Sequence, residues 1–432
     1  MSTGRVRGHN QSDTAKLAWL GRRVGFGLAP GDMARRTEVG LAAVVQQWTT
    51  PADPPAPEGP FRSIAATRDP RGSNRTTANR VMVADWLDYY RTTERPLDGF
   101  MHLFWHDHFA VSNVFVPVFG YVARHLEVLR VHAMGNYGDL LRAVSTDPAM
   151  LHFLDGVTST GAAPNENFAR ELMELYSLGL GPFDEADVVA AATALTGWVV
   201  NRGTGQSRFN PARHDPTPQT LVGVEGVNDV DSVIDAVLNH PACPVYIAGK
   251  VARAILGGEP DAATVADLAA VFADNDLEIA PLVRATLEIA LEGGVTPEPL
   301  GPAAWVVTAL KVTGGTIDPA RLITGLRAGG QVPGTPPNVG GYPPPAAWLS
   351  ASAHASRLRL ASFIVGGLDA AADVVAEAAS GEFAALAVRF GLLGGFAPST
   401  QAAMRDLLAD VGPQGGRAVL VLALTAPEVV VV

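Results

Sequence analysis

Three short stretches hold the densest sets of side chains in this chain that could move a proton, ligate a cation or grip an anion. The first is Phe104-Trp105-His106-Asp107-His108-Phe109, two imidazoles set among aromatic rings. On a regular helix, residues two apart point roughly 200° from each other. His106 and His108 could not then chelate one ion, whereas His102 and His106, four apart, could. A buried histidine bonding a backbone carbonyl would use the same residues without any chemistry. The second stretch is Pro164-Asn165-Glu166-Asn167-Phe168-Ala169-Arg170-Glu171-Leu172-Met173-Glu174-Leu175. It reads as a helix opened by Pro164 and an Asn cap. Glu166 with Arg170, and Arg170 with Glu174, make i,i+4 ion pairs that are worth about 0.3–0.5 kcal/mol each when exposed. Asn167, Glu171 and Glu174 form a polar row beside the apolar stripe of Phe168, Leu172, Leu175 and Leu178. Half-buried carboxylates so placed suit metal ligation or general-base work, and the Arg170 fork suits an anionic substrate group. The third stretch, Phe209-Asn210-Pro211-Ala212-Arg213-His214-Asp215-Pro216, fences a His–Asp pair between prolines. It could present both groups together, or be a turn in which Asp215 caps its own backbone.

Pooled in one cleft, these residues make a metal-dependent enzyme of unknown substrate. His106 or His108, Glu171, and His214 or Asp215 are then the ligands of a divalent Zn, Fe or Mn ion. Glu166 or Glu174 is the general base and Arg170 holds the substrate. Asn165 and Asn167 orient water or backbone and, with Trp105, line the substrate side. Hydrolytic and redox chemistry both remain open. The alternative is a non-catalytic binding or assembly protein in which the same residues form a buried network that fixes helix register. Its acidic surface and Pro-rich loops would contact a small molecule or a protein. There is no Walker-type phosphate loop, no G-x-S-x-G elbow and no H-E-x-x-H.

The chain that must position these groups has 432 residues, of which 47 % are hydrophobic and 17 % charged, a globular rather than disordered balance. Its net charge of −11 argues against nucleic acid as a partner. Cys243 is the only cysteine, so no intrachain disulfide is possible. Among the 32 Lys and Arg residues only Lys16, Lys250 and Lys311 are lysine, which reads as a coding bias. Apolar residues three and four apart predict helices over 15–24, 41–48, 78–90, 119–130, 128–143, 168–178 and 186–195. In the second half they do so over 230–238, 245–256, 262–272, 279–290, 303–313, 351–365, 370–378 and 402–409. Asp98 and Asp184 look like N-caps, and Gly25, Gly179, Gly197 and Gly257 sit where helices stop. The best strand candidates are 220–224 and 429–432. Residues 50–59, 201–226 and 329–345 read as loops, the last two closing over the cleft. The expectation is one all-α domain over 1–432 with a flexible N-terminus at 1–14. No secretory h-region is visible, and the longest apolar run, 418–425, is too short to span a bilayer. A cytoplasmic protein with no membrane insertion follows as the expectation.

In this order the motifs resemble a known family. The likeness begins with Leu20-Gly21-Arg22-Arg23-Val24-Gly25-Phe26-Gly27 and passes through the Trp-His stretch, Arg130-Val131-His132-Ala133-Met134-Gly135-Asn136-Tyr137 and Asp147-Pro148-Ala149-Met150-Leu151. It continues through the Asn-Glu-Asn helix, Leu195-Thr196-Gly197-Trp198, His214-Asp215, His240-Pro241 and Lys250. It closes with Pro336-Pro337-Asn338-Val339, Gly341 and Trp348-Leu349-Ser350. The chain resembles the bacterial domain-of-unknown-function family 1800. The resemblance implies a large, mostly helical domain without an established activity. It also implies a family whose members are often exported and encoded beside a phosphatase- or sulfatase-like partner. This chain departs from the family pattern at Gln219, at Leu300-Gly301-Pro302 and at Gly334.

Overall fold

Short polar side chains and prolines mark where the helices of this protein begin. The computed structural model describes residues 12–29, 31–52, 75–201, 203–412 and 415–432. Ser12, Asn136, Asp147, Asn165, Asp184, Asp229, Asp261, Asp318 and Ser350 each accept a hydrogen bond from a first-turn amide. These bonds satisfy donors that have no partner within the helix. Pro96, Pro148, Pro302, Pro319, Pro398 and Pro427 occupy the first helical positions, where a missing N–H is harmless.

The protein is all-α, as its periodicity implies. Among the described residues the sheet content is two antiparallel hairpins: β1 (Trp198–Val200) with β2 (Ser207–Phe209), and β3 (Gln219–Leu221) with β4 (Val224–Val227). Asp13–Arg23, Asp32–Val39 and Leu41–Thr49 pack together at the N-terminal side. Arg75–Thr92 lies on Pro302–Thr313 and Pro319–Gly329, and Pro96–His108 lies on Phe119–Val131. Tyr137–Ser145 packs on Val230–Asn239, and Glu166–Glu171 on Glu185–Ala194. Ala242–Leu256, Ala262–Asp274 and Ile279–Leu291 form a mutually packed trio. Pro319–Gly329, Ala351–Gly366 and Gly416–Thr425 stack in succession, with Asp373–Ala379 and Pro398–Val411 on the last. One continuous apolar cluster runs through these layers from Leu17 to Val430. No helix among the described residues is long and apolar enough to cross a membrane.

Several local expectations are corrected. The stretch 128–143 is two helices, because Asn136 caps the second through the amides of Gly138 and Asp139. Asp98 is not a cap: its helix starts at Pro96, and Asp98 pairs with Arg95 at 2.6 Å. The 201–226 stretch is no plain loop, since it holds β2, β3, β4 and a 3₁₀ turn at Pro211–Arg213. Within 220–224, positive φ at Val222 and Gly223 turns the chain and makes a hairpin of the expected strand. Residues 429–432 are not a strand: Pro427 opens the short helix Pro427–Val430, and Val431 alone bridges to Pro299. Gly25 is not a helix stop at positive φ, whereas Gly179, Gly197 and Gly257 all have positive φ. Residues 1–11 and 53–74 lie outside the described residues. That covers most of the expected flexible N-terminus and of the 50–59 loop.

The Leu20–Gly27 motif is a clamp. Arg23 is 8 % exposed. It donates through Nε to the Ile255 carbonyl at 3.0 Å and through Nη1 to that of Val432 at 3.1 Å. Nη2 reaches the Ala254 carbonyl at 3.4 Å and the Glu298 carboxylate at 3.7 Å. Arg22 donates to the carbonyls of Glu428 and Val431. Burial pulls both guanidinium groups below the ordinary arginine range, Arg22 to about 10, against the opposing pull of Glu428 and Glu298. Truncation would strand buried acceptors, whose loss costs about 1–3 kcal/mol each. In urea melts, R23M is expected to lose about 3 kcal/mol or more. R142M, which removes solvent-facing pairs with Asp231 and Asp235, should lose at most about 1 kcal/mol. Equal losses would show that the clamp has no special weight.

Candidate functional site

The turn of the helix Pro96–His108 separates its histidines as their spacing requires. His106 faces Arg75–Thr92 and the 329–345 loop. Its ring stands edge-on to Trp86 at 4.9 Å, and Nε2 accepts the Gly334 amide at 3.0 Å with the Tyr342 hydroxyl 3.4 Å away. His102, one turn earlier, places Nδ1 3.0 Å from the Tyr90 hydroxyl. His108 faces elsewhere: its ring stacks with Phe104, and Nε2 is 3.2 Å from the Tyr176 carbonyl. Burial is the main cause that lowers all three imidazoles below their ordinary value, His106 to about 3. The lesser causes are His106 for His102, His125 for His106 and Lys250 for His108. All three are therefore neutral. Trp105 donates to the Ala133 carbonyl at 2.9 Å and is wholly buried. The indole expected on the substrate side is part of the core.

The second stretch is a helix for one and a half turns, Glu166–Glu171, and then widens into a π-helical turn, Leu172–Ser177. Such turns are rare and concentrate at functional sites. The helix ends at Ser177, so its last carbonyls accept from outside. Leu175 accepts the Tyr246 hydroxyl at 3.0 Å, and Tyr176 accepts both the Tyr137 hydroxyl and His108. Asn165 caps the Asn167 amide at 2.9 Å and donates to the Leu154 carbonyl at 2.7 Å, so it is held by backbone. Glu166 and Asn167 are exposed. The Arg170 fork is occupied by Glu185, with two bonds of 2.7 Å, and Glu166 is 3.9 Å away. Glu171 and Glu174 are half-buried. Burial and then Glu174 push the Glu171 carboxyl up.

The third stretch is the turn reading. Asp215 accepts the Thr217 amide at 3.0 Å, and His214 Nδ1 sits 3.1 Å from both the hydroxyl and the carbonyl of Thr196. Bonds to Thr217, from its side chain and its backbone, lower the Asp215 carboxyl. Among the described residues no three His, Cys, Asp or Glu side chains come together in a way that could hold a metal ion. The expected set of His106 or His108, Glu171, and His214 or Asp215 is therefore not gathered. Each imidazole already has a nitrogen engaged by a backbone or hydroxyl group of a different element.

What the structure does bring together was only partly anticipated. Asp107, between the two histidines, is open to solvent. Yet the protein around it desolvates its carboxyl and pushes it up to about 6, against the opposing influence of the Tyr342 amide at 2.7 Å and of Lys250. An open group that is nonetheless desolvated lies in a recess. Gly341, at φ +88°, forms one wall so closely that a Cβ there would collide with the Asp107 carboxylate. Ala242–Leu256 comes near, since the charges of Asp107 and Lys250 act on each other. There the Lys250 ammonium lies 5.1 Å above the Tyr246 ring. Burial lowers Lys250, and Asp107 partly restores it. Burial, then Glu174, raises Tyr246 to about 12. Two signals for this recess were present in the sequence: an acid flanked by buried histidines, and one of only three lysines. Two other cavities, of about 400 Å³ beside Val128, Val131 and Pro148 and about 690 Å³ beside Pro241, Pro244 and Ala270, contain none of the expected site residues.

His106 offers a clean pH test. The unfolded chain takes up a proton near pH 6.5 that the folded imidazole refuses until about pH 3. Its stabilisation is full above 6.5 and is lost as pH falls through that window. An Asn carbonyl at this position can still accept the Gly334 amide, without titrating. Urea melts should find wild type more stable than H106N at pH 7.5. The gap should narrow below pH 6 by about 1.4 kcal/mol per pH unit. A gap independent of pH would contradict the neutral, buried imidazole.

No curated protein and no solved structure matches the chain. The motifs described above, from the Arg22–Arg23 clamp to the 329–345 loop, nevertheless fall inside a single family model. That model, described as Protein of unknown function (DUF1800), matches residues 19–431, and the chain belongs to this family.

Proposed function

We propose that this DUF1800 protein is an acid–base enzyme acting on a small polar substrate in the recess of Asp107, Lys250 and Tyr246. One observation carries the reading: Asp107 is reachable from solvent while its carboxyl is held near pH 6, beside a half-buried lysine. A proton donor and acceptor works best when it titrates near the working pH, and perturbed groups in clefts concentrate at active sites. Asp107 would deliver or accept the proton. Lys250 would supply a partly desolvated amine beside it, over the Tyr246 ring. The Tyr246 hydroxyl is committed to Leu175 and takes no part. Glu174, on the widened turn, is a half-buried carboxylate whose charge reaches Tyr246, and Glu171 lies just before that turn. A Zn, Fe or Mn ion is not part of this reading, because the ligands expected for it do not converge. The reading as a scaffold or assembly protein is favoured by a different observation. His102, His106, His108 and His214 are tied to the protein's own groups, as in a network that fixes helix register.

Carboxyl-edited NMR of Asp-labelled protein, assigned with D107N, tests the central claim. Asp107 should titrate near 6, and higher in K250M, because Lys250 favours the ionised form. A midpoint near 4 in both would overturn the reading. In any turnover found with ester, amide, phosphoester or carbonyl probes, D107N should cost on the order of a hundredfold. Undiminished turnover would overturn it equally. Stability supplies a second readout. A carboxyl raised in the folded state opposes folding above about pH 6, and this penalty fades as pH falls towards 4. D107N should therefore raise Tm at pH 8, with the advantage shrinking at pH 4.5.

A further inference from the structure

We propose that Lys250 is a carbonyl-reactive amine, which makes the substrate of this site a neutral aldehyde or ketone held as an iminium. The inference rests on the acid–base reading of Asp107 and names the substrate class for it. Its first support is chemical type. The chain uses arginine for nearly every cation, and arginine cannot lose its proton, whereas an amine can. Lys250 keeps an amine near the recess. Its second support is the bonding of that amine. The other buried lysine, Lys311, donates to the Gly25 carbonyl at 3.1 Å, as a structural ammonium should. Lys250 is half-buried, and its close contact is the Tyr246 ring at 5.1 Å. Among the described residues it makes no ion pair and no hydrogen bond. Burial is the first cause that lowers the Lys250 ammonium, and a partly desolvated amine beside a ring is the kind that can act as a neutral nucleophile. The third support is the neighbouring acid, Asp107, whose proton the reaction needs.

The step balances without an oxidant or reductant. The Lys250 Nζ lone pair forms a bond to the carbonyl carbon as the C=O π pair moves to oxygen. Asp107 protonates that oxygen and recovers a proton from nitrogen. It then protonates the carbinolamine oxygen again, which departs as water while the nitrogen pair forms C=N⁺. The surroundings select among carbonyl compounds. Asp107 perturbs Lys250 directly, and Glu174 perturbs Tyr246. Arg170 is taken by Glu185, and Arg253 pairs with Glu259. A 2-oxo acid would bring its carboxylate to an acidic wall without a free partner. The His108 ring touches both Phe104 and Tyr246, and this aromatic group favours an alkyl or aryl aldehyde over a charged one.

The test is reductive trapping. Full-length protein is treated with benzaldehyde or pyruvate and sodium cyanoborohydride at pH 7, and modification is mapped by peptide mass spectrometry. Lys16 serves as the ordinary amine and Lys311 as the sequestered one. Benzaldehyde should modify Lys250 at least about tenfold faster than Lys16, given the usual size of acid–base assistance. It should also do so faster than pyruvate, and K250R should lose the site with its circular dichroism unchanged. In D107N the two chemistries should part. Trapping slows for want of the acid. Arylation by trinitrobenzenesulfonate, which needs only the free amine, quickens because Lys250 loses the neighbour that keeps it protonated. Lys250 reacting no faster than Lys16 would overturn the proposal, as would both probes moving the same way in D107N. If Asp107 still titrates near 6 after such a failure, the acid–base reading survives it.

Discussion

A neutral imidazole has one donor and one acceptor, and burying it obliges the surrounding chain to supply a complement. Pro96–His108 carries three such rings into the interior, and their demands organise the elements around it. A backbone N–H can only donate, so the Gly334 amide makes His106 Nε2 an acceptor and leaves the proton on Nδ1, beside the Trp86 ring. A carbonyl can only accept, so Tyr176 fixes the opposite tautomer on His108. His125 sits with Nε2 3.2 Å from the Phe109 carbonyl and Nδ1 3.2 Å from the Asp147 carboxylate. The 329–345 loop, the widened turn and Phe119–Val131 are thereby attached to one helix by specific polar bonds, where apolar contact alone would tolerate slippage. Asp107 is left pointing outward because both of its neighbours are committed inward.

Much of this was legible from spacing. The two-apart separation of His106 and His108 already implied that they face different partners, and helical periodicity located most of the long helices. The pooling of ligands was not legible, because sequence reveals which side chains are polar but not which backbone atoms await them. His214 illustrates this: beside Asp215 it could be a metal ligand or part of a turn, and the imidazole answers Thr196 while the carboxylate answers Thr217. The i,i+4 reading of Arg170 and Glu174 assumed a uniform helix, and the chain widens immediately after Glu171. Arg170 found Glu185 instead. The recess was missed for a related reason. Its members lie on separate elements, and no spacing in the sequence links them.

Gly334 shows how a loop can meet a buried ring through its backbone. At φ +81° its backbone donates to His106, and a Cβ there would press on the Met82 side chain. At this position the loop meets the histidine with main chain, and the Tyr342 hydroxyl comes in beside it. A few residues on, Gly341 lets the same loop close against Asp107. The two contacts fasten the loop to opposite sides of the acid, one to a buried ring and one to an open carboxylate.

The π turn at Leu172–Ser177 has a consequence for how the protein tolerates insertions and deletions. One additional residue per turn shifts the angular phase of everything upstream by about 100° relative to everything downstream. Removing a residue there would restore ordinary winding and swing the Asn165 end away from the 156–163 corner. It would also withdraw the spare carbonyls from Tyr137, Tyr246 and His108, three latches supplied by three other helices. The segment therefore behaves as an indexed ratchet tooth, where a length change is far more disruptive than a change of side chain.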